Sequence, residues 1–229
     1  MKLNWLLRYS LPAIMIAAVA CESLHFRNIS EGVITFEVTY PGTDAGDLMA
    51  GILPNEMTLS FKDNKTAGKL NSMGIFTTSL IAFPDSREVA QLVKIMNKKY
   101  VLMMDSSEVE TLYSELPEMT IHFVDETKEI AGYKCKKAIV TFKDNIKEEF
   151  SIYYTNEIEI KNPNWCTPFH EIDGVLLEYQ VRKYNIEMRL TAKSVIKSVI
   201  DDSTFEVPPD YNKITQEEMS NIFEDFKGI

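Results

Sequence analysis

The chain has few side chains that could act as nucleophiles or metal ligands. Its 229 residues include three cysteines and three histidines. A nucleophilic thiol needs a base beside it, and Cys166 with His170 is the one pair placed for that chemistry. No known nucleophile motif surrounds this pair, and the cysteines and histidines lack the spacing of a metal site. The sequence therefore predicts a protein that is not an enzyme, with no catalytic residue, no metal site and no cofactor.

Cys21 is placed for covalent modification. A positively charged start, an apolar stretch over residues 11–19 and a junction of small residues precede it, as at a signal-peptide cleavage site. The arrangement resembles a lipobox, in which Cys21 would receive a diacylglycerol and fatty acyl chains such as palmitate. An ordinary secreted protein is the alternative. We predict a lipoprotein signal peptide at 1–20, a lipidated tether at 21–31, and an outer-membrane anchor that faces the periplasm.

The charge balance excludes one class of partner. Removal of residues 1–20 takes away two basic residues and no acidic residue, so the formal charge moves from −10 to −12. A chain this acidic repels phosphate backbones. We therefore expect the membrane, an apolar ligand or another envelope protein as partners, and no nucleic acid.

Two thiols remain after lipidation of Cys21. They belong to Cys135 and Cys166. In an oxidising compartment they could form one disulfide, which would stabilise the fold by about 3–4 kcal/mol. The sequence does not show whether the two side chains meet.

Alternating apolar and polar residues predict the fold. Ile34, Phe36 and Val38 share one face of a strand, while the residues between them are polar or charged. This period of two is typical of a half-buried antiparallel strand. Further strands are expected at 57–61, 74–83, 88–96, 100–105, 119–123, 133–143, 148–155, 174–182 and 186–200.

Two sequence patterns predict helices. Ser107-x-x-Glu110 and Thr215-x-x-Glu218 resemble capping boxes, and an apolar stripe over 219–226 follows the second. With the strands they predict a mainly β (α+β) fold. We expect one strongly curved antiparallel sheet, a half-barrel, with two or three helices packed on it. A single domain is expected over residues 32–229.

Several runs of residues are similar to a known group of secreted proteins. They are IAGYKCKKA at 130–138, YYTNEI at 153–158, GVLLE at 174–178 and FEVPPDY at 205–211. They resemble GLPGLI-type proteins and related domains of unknown function from Bacteroidetes-like bacteria, although HEIDGVL at 170–176 replaces the GLPGLI run. The resemblance implies an envelope location and, by looser analogy, the sheet of LolA-type carriers. It implies no activity.

Two non-catalytic functions follow from this interpretation. The first is binding of an apolar ligand, such as a lipid, in the concave face of the sheet, because methionine-rich surfaces adapt to varied apolar ligands. The second is a protein–protein module of an envelope assembly, in which Trp165 and Phe169 anchor a partner. In each case the residues could instead be core filler. The expected groove residues are Phe36, Val38, Phe61, Phe76, Met103 and Met104.

Overall fold

Twelve strands form one open sheet in the part of the chain that the computed structural model describes, residues 28–41, 53–72, 76–114, 116–143, 149–183 and 186–227. The strands are β1 (Glu31–Thr39), β2 (Glu56–Lys62), β3 (Lys65–Ser72), β4 (Phe76–Phe83), β5 (Glu88–Ile95), β6 (Lys98–Met104), β7 (Met119–Ile130), β8 (Tyr133–Phe142), β9 (Glu149–Thr155), β10 (Val175–Lys183), β11 (Ile186–Lys197) and β12 (Asn212–Lys213). The helices are α1 (Ser106–Ser114) and α2 (Gln216–Lys227), with a 3-10 helix at Asp202–Phe205.

The order of strands across the sheet is β12-β6-β5-β4-β3-β2-β1-β11-β10-β9-β8-β7. Every neighbouring pair is antiparallel except β12 and β6, which run parallel. The prediction of a mainly β fold is confirmed, but the sheet is mixed rather than wholly antiparallel and does not close into a barrel.

The predicted signal peptide, Cys21 and most of the tether lie outside the described residues. The lipid anchor and the envelope location therefore stay predictions. No helix within the described ranges is long and apolar enough to cross a membrane.

Tight turns set the register of the hairpins. Asp63 and Asn64 have φ values of 50° and 64° between β2 and β3, as a type I′ turn requires. The β5–β6 turn was expected at residues 97–99. It lies one residue earlier, since Lys98 already pairs with Ile95 and Met96 takes the positive φ of 52°.

Strand β3 was not predicted from the sequence. Its residues KTAGKLNS are mostly polar and lack a clear alternation of two. The backbone nevertheless pairs with β2 on one side and β4 on the other. Backbone hydrogen bonds from both neighbours, rather than side-chain patterning, place this strand in the sheet.

The two helices begin at side-chain caps. At α2 the predicted box forms, with the Thr215 N–H donating to Glu218 Oε2 at 2.8 Å and the Glu218 N–H to Thr215 Oγ1 at 3.2 Å. At α1 the cap is Asp105, two residues before the predicted Ser107. Its Oδ1 accepts from the Ser107 and Glu108 N–H groups at 2.9 Å, and these bonds lower its pKa.

Both faces of the sheet are covered near β5. Val89 and Val93 pack beneath α1 and α2 with Met219. Ala90 and Leu92, which alternate with them, pack on the opposite face against the segment that follows β11. Residues Val89 to Val93 of β5 are all buried, as expected for a strand covered on both faces, and Gln91 is the one polar residue among these five.

Lys62 fastens the segment after β11 to the sheet. Its ammonium donates to Asp202 Oδ1 at 2.7 Å and to the Ile200 carbonyl at 3.1 Å. The Ile200 N–H in turn donates to Glu31 Oε1 at 2.7 Å. The hydrogen bond with Asp202 raises the pKa of Lys62, and the contacts hold the segment over the opposite face.

The expected apolar groove is wrong, because its residues are divided among separate core clusters. Phe36 and Phe61 are fully buried, at 0% exposure. Because the six side chains belong to three separate clusters, they do not line one common cavity. They pack inside the protein instead. The central cluster holds Phe36, Val38 and Phe61, the cluster beneath the helices holds Phe76 and Met104, and Met103 packs on the opposite face.

We expect Phe36→Ala to lower the free energy of unfolding by about 3–5 kcal/mol, because it leaves a cavity in the central cluster. Urea denaturation followed by circular dichroism measures this. Val199→Ala is the control, since Val199 is 91% exposed and its change should stay within about 0.5 kcal/mol. A loss for Phe36→Ala as small as the control's would contradict the core placement.

Candidate functional site

A polar cleft of about 480 Å³ opens beside the β2–β3 turn and the loop between β9 and β10. Ser30, just before β1, also lines it, so the cleft draws on three distant parts of the chain. Its principal polar side chains are Asp63, Asn64, Asn156, Glu159, Lys161 and Asp173. We call the cavity that these side chains line the polar cleft.

One wall of the polar cleft is a short strand-like segment, residues 158–161. Ile158 and Ile160 are buried in the central cluster at 3% and 8% exposure. Glu159 and Lys161 alternate with them and are exposed. The apolar side chains therefore fix the segment to the core and turn the charged ones into the cleft.

Residues before β1 hold this wall in place. Ile29 forms a parallel bridge with Ile158. The Asn28 N–H donates to the Glu157 carbonyl and the Glu159 N–H to the Ile29 carbonyl, both at 2.8 Å. The backbone of the wall is thus hydrogen-bonded to the segment that precedes β1.

The β2–β3 turn forms the adjoining wall. The Lys161 N–H donates to Asn64 Oδ1 at 2.8 Å, across 97 positions of sequence. Asn64 tolerates its left-handed backbone conformation better than most residues do. One side chain therefore shapes the turn and ties it to the opposite wall.

The third side comes from the end of the β9–β10 loop. Asn156 Nδ2 donates to the Asp173 carbonyl at 2.5 Å. Buried Asn164 donates to the Ile172 and Gly174 carbonyls at 2.7 and 2.9 Å. These amides satisfy the loop's carbonyl groups internally, which leaves the Asp173 side chain exposed at the cleft.

The chemistry of the polar cleft suits a ligand rich in hydroxyl groups. Carboxylates accept hydrogen bonds, an ammonium group donates them, and amides do both. No cluster of three or more metal-ligating side chains occurs in the described part of the chain. The polar cleft therefore presents hydrogen-bonding side chains on backbone segments that are themselves held by hydrogen bonds.

The two described cysteines do not form the disulfide that the sequence left open. Both are free and buried, Cys135 in the central cluster and Cys166 beneath the helices. Burial raises the pKa of the Cys135 thiol to about 12 and that of Cys166 to about 11. A thiol with a raised pKa is a poor nucleophile, so Cys166 is also unsuited to act with exposed His170.

The expected partner-binding loop is packed against the protein itself. Phe169 is 2% exposed and meets the rings of Phe150 and Tyr179 edge-on, at 6.1 and 6.5 Å between centroids. Trp165 packs against the cluster beneath the helices, with Arg87 5.7 Å from its ring. Both aromatic residues pack against the sheet, and Phe169 has almost no surface that a partner could contact.

Comparison with known proteins adds a family to this geometry. Residues 62–219 match the family model "N-glycanase peptide, N-terminal domain". The chain belongs to this family. No curated protein matches the chain.

A solved structure, "Structure of PNGF-II in C2 space group", also resembles the chain. The identity is 21% and the TM-score 0.49, and the match covers 85% of this chain and 32% of that one. The chain therefore spans about a third of the length of that structure.

The family corrects the predictions made from the resemblance. Membership of the N-glycanase N-terminal domain family replaces the GLPGLI-type assignment and the LolA-like analogy. The predictions of a lipid-binding function, of an envelope interaction module and of a protein that is not an enzyme are wrong, because the matched family model describes a domain of an N-glycanase. The polar cleft itself was missed because its residues show no common spacing in the sequence.

We expect Gly174→Ala to lower the free energy of unfolding by about 1–3 kcal/mol. Gly174 has φ +158°, and an added Cβ would lie 2.7 Å from Tyr154 Cδ2 and 2.9 Å from the Thr155 carbonyl oxygen. Gly68→Ala is the matched control, as its Cβ would meet Leu59 Cδ1 at an ordinary 3.7 Å. If thermal unfolding showed equal stability for the two variants, the predicted clash at position 174 would be wrong.

We expect the Cys135 and Cys166 thiols to resist alkylation in the folded protein at mildly alkaline pH. Burial and a raised pKa keep both from forming the reactive thiolate. In denaturant without reductant both should react fully, as peptide mass spectrometry would show. Labelling in denaturant only after reduction would reveal a disulfide and contradict the free thiols.

Proposed function

We propose that this chain serves the N-glycanase activity of its family by binding an N-linked glycan in the polar cleft. The observation that carries the proposal is a cleft lined by hydrogen-bonding side chains, with walls held by hydrogen bonds, in a domain of this family. The chain would thus act as the N-terminal, glycan-engaging part of such an enzyme.

The size and lining of the polar cleft support this proposal. Its volume of about 480 Å³ falls within the range of roughly 300–1,000 Å³ found for small-ligand sites. Sugar hydroxyl groups both donate and accept hydrogen bonds, so carboxylate, amide and ammonium groups can each pair with them. A glycan of a few sugar units matches both properties.

The rigidity of the walls gives a second line of support. Contacts from Ile29 to Glu159 and from Lys161 to Asn64 fix the backbone on either side of the cleft. A site that is already ordered loses little conformational freedom when a ligand binds. The exposed side chains can therefore engage a sugar without rearrangement of the fold.

We expect Glu159→Ala to weaken binding of a neutral N-glycopeptide about fivefold, the net cost of one lost hydrogen bond. Glu159 suits this test because its N–H holds the wall, which alanine preserves, while its carboxylate is exposed. Isothermal titration calorimetry on the full chain measures the affinity. The unfolding temperature should be unchanged.

Glu206→Ala is the matched control, because Glu206 is also exposed but lies in the segment covering the opposite face. It should bind as the unaltered chain does. Absence of binding by the unaltered chain, or equal weakening in both variants, would overturn the polar cleft as the glycan site.

A further inference from the structure

We propose that the polar cleft selects glycans by charge, binding neutral N-glycans in preference to the same glycans capped with sialic acids. This inference rests on the proposed function and adds the class of glycan to it. It follows from the signs and positions of the charged groups around the cleft.

Three carboxylates and one ammonium group line the polar cleft: Asp63, Glu159 and Asp173 against Lys161. All four residues are exposed, so their charges face the solvent that a ligand would displace. The lining therefore has an excess of two negative charges.

Neighbouring ammonium groups offset part of this excess. Lys62 interacts electrostatically with Asp63, but it is already paired with Glu31 and Asp202. Lys136 donates to Asn156 Oδ1 at 3.0 Å and so lies against one lining residue. Including it leaves three carboxylates against two ammonium groups. The whole chain has a formal charge of −10, which adds a negative field of longer range.

Each sialic acid introduces a carboxylate into a ligand that is otherwise uncharged. Lys161 could pair with one such group, but three acidic side chains oppose it within the same cleft. Like charges at exposed sites repel modestly and are screened by salt. Selection should therefore amount to about fivefold at low ionic strength and shrink as salt is added.

The test compares two glycopeptides that differ only in their termini, one neutral and one capped with sialic acids. Their affinities for the full chain are measured by calorimetry at low and at high salt. We expect the neutral glycopeptide to bind about fivefold more tightly at low salt, with the ratio near one at high salt.

The double variant Glu159→Gln/Asp173→Asn removes two charges while keeping groups of similar shape that still form hydrogen bonds. It should bring the low-salt ratio close to one by strengthening binding of the sialylated glycopeptide. The control Glu110→Gln/Glu206→Gln removes the same charge from exposed positions outside the lining. It should leave most of the selectivity in place.

The outcomes separate the two proposals. Equal affinities for both glycopeptides at low salt, or tighter binding of the sialylated one, would overturn charge selection while leaving the cleft as a glycan site. An equal loss of selectivity in both double variants would assign the effect to overall charge and overturn the cleft's part in it. Absence of binding for both glycopeptides would remove the proposed function, and this inference with it.

Discussion

Antiparallel pairing between β1 and β11 joins two halves of the sheet that are each built from consecutive hairpins. Strands β1 to β6 form one half and β7 to β11 the other. The pairing requires glycine at position 32, where an added Cβ would lie 2.4 Å from the Ile196 carbonyl oxygen. Without the β1–β11 pairing the halves would share no hydrogen-bonded strands, and the central cluster, which draws on both, would lack one of its sides.

The polar cleft is a consequence of the same pairing. Because β1 sits beside β11, the residues just before it reach the segment after β9, where Ile29 bridges Ile158. The β2–β3 turn then lies next to Lys161. The cores stabilise the sheet, and the ends of the strands supply the polar groups. A binding site on loops held by a rigid scaffold is the usual outcome of such an arrangement.

The misleading resemblance also has a structural explanation. The run IAGYKCKKA spans the β7–β8 turn, where Ala131 and Gly132 have positive φ and Tyr133 and Cys135 point into the core. The run FEVPPDY includes Phe205, which packs on the opposite face. A tight hairpin followed by alternating residues is required by many β folds, so such runs do not by themselves identify a family.

The sequence by itself determined the features that depend on neighbouring residues. Alternation of two gave most strands, and the Thr215–Glu218 pair gave the start of α2, because strand faces and caps involve residues a few positions apart. Only the tertiary structure decided the rest. Polar β3 is placed by its neighbours, Cys135 and Cys166 are separated into different clusters, and Asn64 meets Lys161 across the fold. Contacts of that range depend on how strands are ordered in the sheet, which no local pattern encodes.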